Sequence, residues 1–342
     1  MGIDLNGKRI FFSCCLALGD VVTCTPALRL VKKKYPSCVL TVMTKTPYTP
    51  LIDGLPYIDE VVGFRRHEFL GRAKLFQKLL RQDMIALLDW NPHVVAMAYL
   101  MRVPIRNGVV SGGGGHFAKR WLTKIVERTN WERGTYAGAQ RGKTISELFF
   151  LPFMPDELMH CDVAEPDEAT YDEVGEMLKA IGIKEDEPYI LLSPFSAYKN
   201  RCWPAANAKK FAALMEKRYS IPVIVTGMES QRSMAEGISK YNIIGKTGLG
   251  HLIAMIKRSY MVVTPDSGPM HIAGALKKNM VLLFTTGAPE IWTPQNDNCT
   301  PLALDYPCMP CRPWGGAADC ADMKCLDIPA EMVADACEKY IS

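Results

Sequence analysis

No run of about eighteen uninterrupted apolar residues occurs in the chain, so no segment reads as a membrane-spanning helix. The opening Met1-Gly2-Ile3-Asp4-Leu5-Asn6 is polar and short, and no secretory leader is expected from it. Asn6 stands where an N-myristoylation signal needs Ser or Thr. A large excess of one charge is missing too. The formal net charge of +4 is too small to argue for nucleic acid, although it suits anionic substrates. The stretch 16–20 contains a lone glycine, Gly19, and no G-x-G-x-x-G turn, which disfavours a nicotinamide oxidoreductase. No repeat shorter than a domain recurs.

Cysteine, by contrast, is plentiful, at 12 in 342 residues. With no secretory leader expected, a reducing, cytoplasmic compartment follows, and the cysteines should be free thiols or metal ligands. Cys14, Cys15, Cys24 and Cys38 lie in or beside apolar segments and read as small core residues. The length allows two domains of ordinary size, and 48% hydrophobic residues supply a substantial core.

Apolar runs alternate with helical periodicity through most of the chain. Residues 8–14, 38–43, 57–62 and 84–88 read as strands, and 21–34, 69–82 and 94–101 as helices. This βαβ rhythm implies a mostly parallel sheet with helices on both faces. It breaks between Arg106 and Lys143, where Gly112-Gly113-Gly114-Gly115 precedes a basic and aromatic stretch. That stretch is either a plain surface loop or one that receives a saccharide acceptor. After a proline-bearing linker near 152–166 the rhythm restarts. Strands are expected at 189–193, 223–226, 242–244, 261–264 and 280–284, with helices at 170–181, 205–219 and 249–257 and a last helix at 329–341. Two doubly wound halves of this kind would place a ligand cleft between the carboxyl ends of both sheets.

The most informative stretch is Thr264-Pro265-Asp266-Ser267-Gly268-Pro269-Met270-His271, a strand-to-helix turn. Such a turn aims free backbone N–H groups and the positive helix end at an anion. Gly268 permits close approach, and Pro269 suits an early helical position. A phosphate or pyrophosphate is the expected ligand. Ser196, Lys199 and Arg201 follow the first strand of the second half, where they can hold a diphosphate or be solvated loop residues. Glu229 can accept from ribose hydroxyls or serve as a first-turn acid. Asp20 can act as a general base or cap the helix that follows it. The tail Cys308-x-x-Cys311, with Cys320 and Cys325, could ligate zinc or iron tetrahedrally, or remain thiols or disulfides.

Five motifs in order resemble glycosyltransferase family 9, the ADP-heptose:lipopolysaccharide heptosyltransferases, along nearly the whole chain. They are Leu18-Gly19-Asp20-Val21-Val22 with Thr25-Pro26; Ser193-Pro194-Phe195-Ser196 leading to Trp203-Pro204; Val225-Thr226-Gly227-Met228-Glu229; Asp266-Ser267-Gly268-Pro269-Met270-His271; and the cysteine tail. The resemblance implies an α/β protein of GT-B fold, two Rossmann-like doubly wound domains facing across a cleft. Residues 1–165 would bind the acceptor, 166–328 the sugar nucleotide, and 329–342 would return to the first domain.

It further implies an inverting transfer of heptose from ADP-heptose to a lipid-linked saccharide of the lipopolysaccharide core type. Asp20 would be the base. Ser196, Lys199, Arg201, Glu229, Asp266, Ser267, Gly268, Pro269 and His271 would hold the donor. Arg201 stands where the family has a lysine, which keeps the charge and changes its geometry. The transfer would need no metal, and zinc or iron at the tail would be structural. A cytoplasmic enzyme at the periphery of the inner membrane follows, with the basic helix 69–82 as a contact or merely a solvated face. Another acceptor, a protein included, and a nucleotide-sugar epimerase are the alternatives.

Overall fold

The computed structural model describes residues 3–65, 75–89, 91–110, 117–127, 136–311, 320 and 322–341. They form two compact units. One contains the described residues up to Glu127 together with Ala137–Ala164, and the other contains Tyr136 and the described residues from Glu165 on. The tetraglycine at 112–115 and the first part of the basic helix at 69–82 lie outside the described residues.

The first unit holds β1 (Arg9–Ser13), α1 (Leu18–Lys34), β2 (Val39–Lys45), β3 (Glu60–Phe64), β4 (Met84–Leu87), α2 (Pro92–Leu100), β5 (Ile105–Val110), β6 (Lys124–Glu127) and α3 (Ala137–Leu148). Its sheet is parallel throughout, in the order β3-β2-β1-β4-β5-β6. Helices cover both faces, so the central strands read as unbroken apolar runs rather than alternating ones. On one face Phe11, Ile85 and Leu87 meet Val94, Val95 and Ala98 of α2. On the other, Phe12 lies 5.9 Å from Phe149, just past α3.

Helix α1 starts at Leu18, three residues before the sequence expectation, and carries Pro26 in its interior. Proline has no N–H for the carbonyl of Val22. The Thr25 hydroxyl donates to that carbonyl instead, at 2.7 Å, and accepts from the Asp162 N–H at 2.8 Å. Thr25-Pro26 is thus tolerated because the threonine takes over the lost bond. Asp162 also accepts from the Tyr57 hydroxyl at 2.8 Å and pairs with Arg29. The stretch read as a linker is therefore strapped to the first unit as far as Ala164, whose N–H reaches Leu51 O at 2.8 Å.

The second unit holds α4 (Glu168–Ala180), β7 (Ile190–Leu192), α5 (Ala205–Tyr219), β8 (Val223–Val225), α6 (Leu249–Arg258), β9 (Met261–Pro265), α7 (Gly268–Ala275), β10 (Asn279–Phe284), α8 (Pro289–Trp292), β11 (Cys299–Ala303) and α9 (Ala330–Glu338). Its parallel sheet runs β11-β10-β9-β7-β8. The strand expected at 242–244 is only a single bridge between Val225 and Asn242.

The final helix departs from expectation. It does not leave the second unit for the first. Ala330, Val333, Ala334 and Cys337 form a stripe at helical spacing and are buried with Phe211 and Met215 of α5. Trp203 clamps the entry to this helix: it is 1% exposed, lies edge-on to Phe211 at 5.8 Å and donates from Nε1 to Ile328 O at 2.9 Å. Trp203→Ala should therefore cost about 3–5 kcal/mol in denaturant unfolding. A loss under about 1 kcal/mol would show that the clamp is not needed.

Candidate active site

In an open parallel sheet, ligands sit beyond the carboxyl ends where strand order reverses. In the first unit that point lies between β1 and β4. Asp89, just past β4, bridges it: its Oδ1 accepts from Ser13 Oγ at 2.7 Å and from the Cys15 N–H at 3.2 Å. The β1 loop so fixed leads into α1 and Asp20.

Asp20 occupies the first turn of α1, where a negative charge meets the positive helix end. Its Oδ2 accepts from the Ala17 N–H at 3.0 Å, and its Oδ1 pairs with Arg141 of α3. Arg141 is 6% exposed and Asp20 23%. Burial opposes the charge on Arg141, but Asp20, together with Cys24 and Cys14, raises the guanidinium pKa on balance. Both readings of Asp20 thus have a structural basis. It satisfies an N-terminal N–H of its own helix, and it presents a partly exposed carboxylate with lone pairs to spare.

In the second unit the order reverses between β7 and β9. The loop after β7 carries Ser196, Lys199 and Arg201, and the turn after β9 carries Asp266 to Pro269. A buried ion pair joins them: Arg201 Nη1 lies 2.9 Å from Asp266 Oδ2, and both side chains are at most 10% exposed. The same nitrogen donates to Asp266 O at 3.3 Å. Burial pushes the Asp266 carboxyl above its ordinary range, and Arg201 opposes that push. Gly287, after β10, is required here, since a Cβ at that position would come within 2.8 Å of Asp266 Oδ2. Thr285 Oγ1, from the same loop, donates to Asn200 O at 2.9 Å.

The loop after β8 is tied in by Gln231, whose Nε2 donates to Ser196 O at 3.2 Å. Both oxygens of Glu229 accept from Arg232, at 2.7 and 2.6 Å, which lowers the Glu229 pKa. The Glu229 carboxylate lies against Gly245, which has φ +73° and no room for a Cβ.

Ser267 is the N-cap of α7 by backbone, but its hydroxyl meets Thr264 Oγ1 at 3.0 Å instead of capping the helix. No side chain caps α7, and Pro269 has no N–H, so the Gly268 end is open to an anion. His271 is buried within α7, edge-on to Trp292 at 6.2 Å. Lys199 is exposed and makes no ion pair among the described residues.

The structure therefore gathers Ser196, Arg201, Glu229 and the Asp266–His271 turn at one sheet end of the second unit, while Asp20 belongs to the first. Sequence reasoning missed Asp89, Gln231 and the role of Arg141. The signal for Asp89 was a lone acid just past an apolar strand. Arg141 stood alone among the small residues Ala137, Gly138, Ala139 and Gly142.

At the tail, Cys308, Cys311 and Cys320 are exposed and Cys325 is half-buried. Burial raises the Cys325 thiol pKa, with smaller contributions from Cys311, Cys308 and Cys320. Four thiols suit a soft metal, but no group of three or more ligating side chains converges among the described residues.

The sequence model of glycosyltransferase family 9 (heptosyltransferase) matches residues 150–320. This chain belongs to glycosyltransferase family 9. Among curated relatives, lipopolysaccharide heptosyltransferase 3 of Escherichia coli K12 is 22% identical, over 94% of this chain and 95% of its own length. A family 9 glycosyl transferase structure from Veillonella parvula superposes with TM-score 0.82 at 21% identity, covering 100% of this chain and 99% of that one. E. coli ADP-heptose lps heptosyltransferase II gives 0.74 at 17% identity, covering 98% of each. The fold is thus GT-B, with two Rossmann-like domains, and the protein is a glycosyltransferase.

In this family 9 chain, Asp20 carries structure through its pair with Arg141 and its bond from the Ala17 N–H. Asp20→Ala removes the carboxylate paired with a buried guanidinium and should lower stability by about 3 kcal/mol in chemical denaturation. Adding Arg141→Met should recover more than half of that loss. A double variant no more stable than the single one would contradict the pairing.

Proposed function

We propose that this enzyme moves a heptose from ADP-heptose to a saccharide acceptor of the lipopolysaccharide core type, with inversion at the anomeric carbon. The observation that carries the donor half is the order reversal of the second unit. There an uncapped helix end at Gly268 stands beside Arg201, held in place by Asp266. That arrangement suits a diphosphate: the helix end and guanidinium are fixed before ligand arrives, so little reorganisation opposes binding. Lys199 adds a mobile charge, and Glu229 is placed to accept from a ribose. The names of the relatives support heptose and ADP over other sugars and nucleotides.

In the reaction, an acceptor hydroxyl oxygen forms a bond to the anomeric carbon as the bond from that carbon to the diphosphate oxygen breaks. The hydroxyl proton passes to Asp20. Charge left on the departing ADP is met by the Gly268 N–H, Arg201 and Lys199, with His271 as a further donor. These protein groups make a metal unnecessary for the transfer, and zinc or iron at Cys308, Cys311, Cys320 and Cys325 would act on the fold alone.

ADP should raise the melting temperature more than UDP or NAD does, and Asp20→Asn should abolish transfer while leaving the ADP shift intact. Transfer should persist in excess EDTA. Equal shifts with UDP would discard the donor, and transfer by Asp20→Asn above about 10% of the parent rate would discard the base.

A further inference from the structure

We propose that Arg232 is a latch on the donor site: its guanidinium fork occupies the edge of Glu229 that a ribose diol needs, and a ribonucleotide must displace it to bind fully. Both carboxylate oxygens are taken, Oε1 by Arg232 Nε at 2.7 Å and Oε2 by Nη2 at 2.6 Å. A guanidinium and a vicinal diol make the same demand on a carboxylate. Each presents two neighbouring donors, met best by one lone pair from each oxygen along a shared edge. The two ligands cannot hold that edge together. The latch rests on Glu229 as the ribose acceptor, the reading given above.

The surroundings hinder the carboxylate from offering another edge. Gly245 packs against Oε2, so closely that a Cβ there would come within 1.8 Å of that oxygen and 2.9 Å of Glu229 Cα. Backbone therefore lies beside the carboxylate, and the outward edge is the one that Arg232 covers.

Arg232 is not needed to build this turn. Gln231, 6% exposed, does so: its Oε1 accepts from the Met228 N–H at 2.9 Å, and its Nε2 ties the turn to Ser196 O. The Gly245 N–H donates to Gly227 O at 3.0 Å and closes the other side. The Glu229 backbone is thus fixed whether or not Arg232 is paired. An arginine that served only to position Glu229 would leave the two-oxygen edge open, by meeting a single oxygen from the side.

The pair can also open. Its side chains are 52% and 65% exposed, so water and salt compete with it. The Arg201–Asp266 pair, at most 10% exposed, has no such freedom. The second unit so combines a fixed cation beside the phosphate turn with a displaceable one beside the ribose acceptor. In the empty site the latch balances the Glu229 charge, which would otherwise repel an incoming diphosphate. On closing again it competes with bound ADP, so the apparent affinity falls by the fraction of molecules that are latched.

Titration calorimetry of the full chain with ADP and with 2′,3′-dideoxy-ADP tests the latch. Arg232→Met should bind ADP about threefold tighter than the parent, the scale of an exposed ion pair, and should bind dideoxy-ADP no tighter. Arg232→Lys should fall between, since an ammonium has no planar fork. The gain in ADP affinity should shrink as salt rises. Equal or weaker ADP binding by Arg232→Met, with ADP still preferred over dideoxy-ADP, would overturn the latch and leave the donor reading standing; the weaker result would make Arg232 a residue that holds Glu229 or the nucleotide. Equal affinity of Arg232→Met for the two nucleotides would remove Glu229 from the ribose, and the latch with it. No ADP binding by the parent or the variant would overturn the donor reading itself.

Discussion

A carboxylate that joins two strand-end loops, half-buried at Asp89 and buried at Asp266, is the constraint on which both halves of the molecule depend. Parallel sheets buried on both faces leave their chemistry to the loops beyond the carboxyl ends, and loops alone do not hold a site to within a few tenths of an ångström. Asp89 ties the loop after β4 to that after β1, and Asp266 ties the turn after β9 to the loop after β7 through Arg201. Each carboxylate spans a point where strand order reverses, the place where neighbouring loops diverge and a ligand can enter.

The two bridges differ in kind. Asp89 accepts from a hydroxyl and an amide, whereas Asp266 faces a guanidinium in a nearly dry setting. Breaking the second pair would leave an uncompensated buried charge, so neither partner is free to leave. Arg201 is therefore a fixed cation, while Lys199 two residues away remains exposed. A diphosphate site benefits from both: one charge placed in advance, another able to follow the leaving group. Asp20 shows the same economy in the first unit, since its pair with Arg141 orients the carboxylate and stabilises two helices together.

The parallel, doubly wound architecture was legible because central strands such as Met84–Leu87 and Met261–Pro265 are unbroken apolar runs beside amphipathic helices. The strand-to-helix turn at Asp266 to Pro269 was legible because Asp, Ser, Gly and Pro at a strand end favour a turn into a helix. Strands β5 and β6 and helix α3 were not, since Asn107 and Gly108 interrupt one strand, Lys124 opens another and Ala137 to Gly142 has little hydrophobic periodicity. Tertiary packing decides those elements. The seat of α9 was misjudged for a related reason: its stripe of Val333, Ala334 and Cys337 announces burial but not the partner, which is α5. Pairings across long sequence separations, such as Asp20 with Arg141, leave no local trace at all.

The central claim is that the order reversal of the second unit holds a nucleoside diphosphate, and a crystal structure of the protein with ADP tests it most directly. The account predicts phosphate oxygens within hydrogen-bonding distance of the Gly268 N–H and the Arg201 or Lys199 side chain, with the ribose beside Glu229. Phosphates seated away from Gly268, or a nucleotide bound only by the first unit, would contradict it.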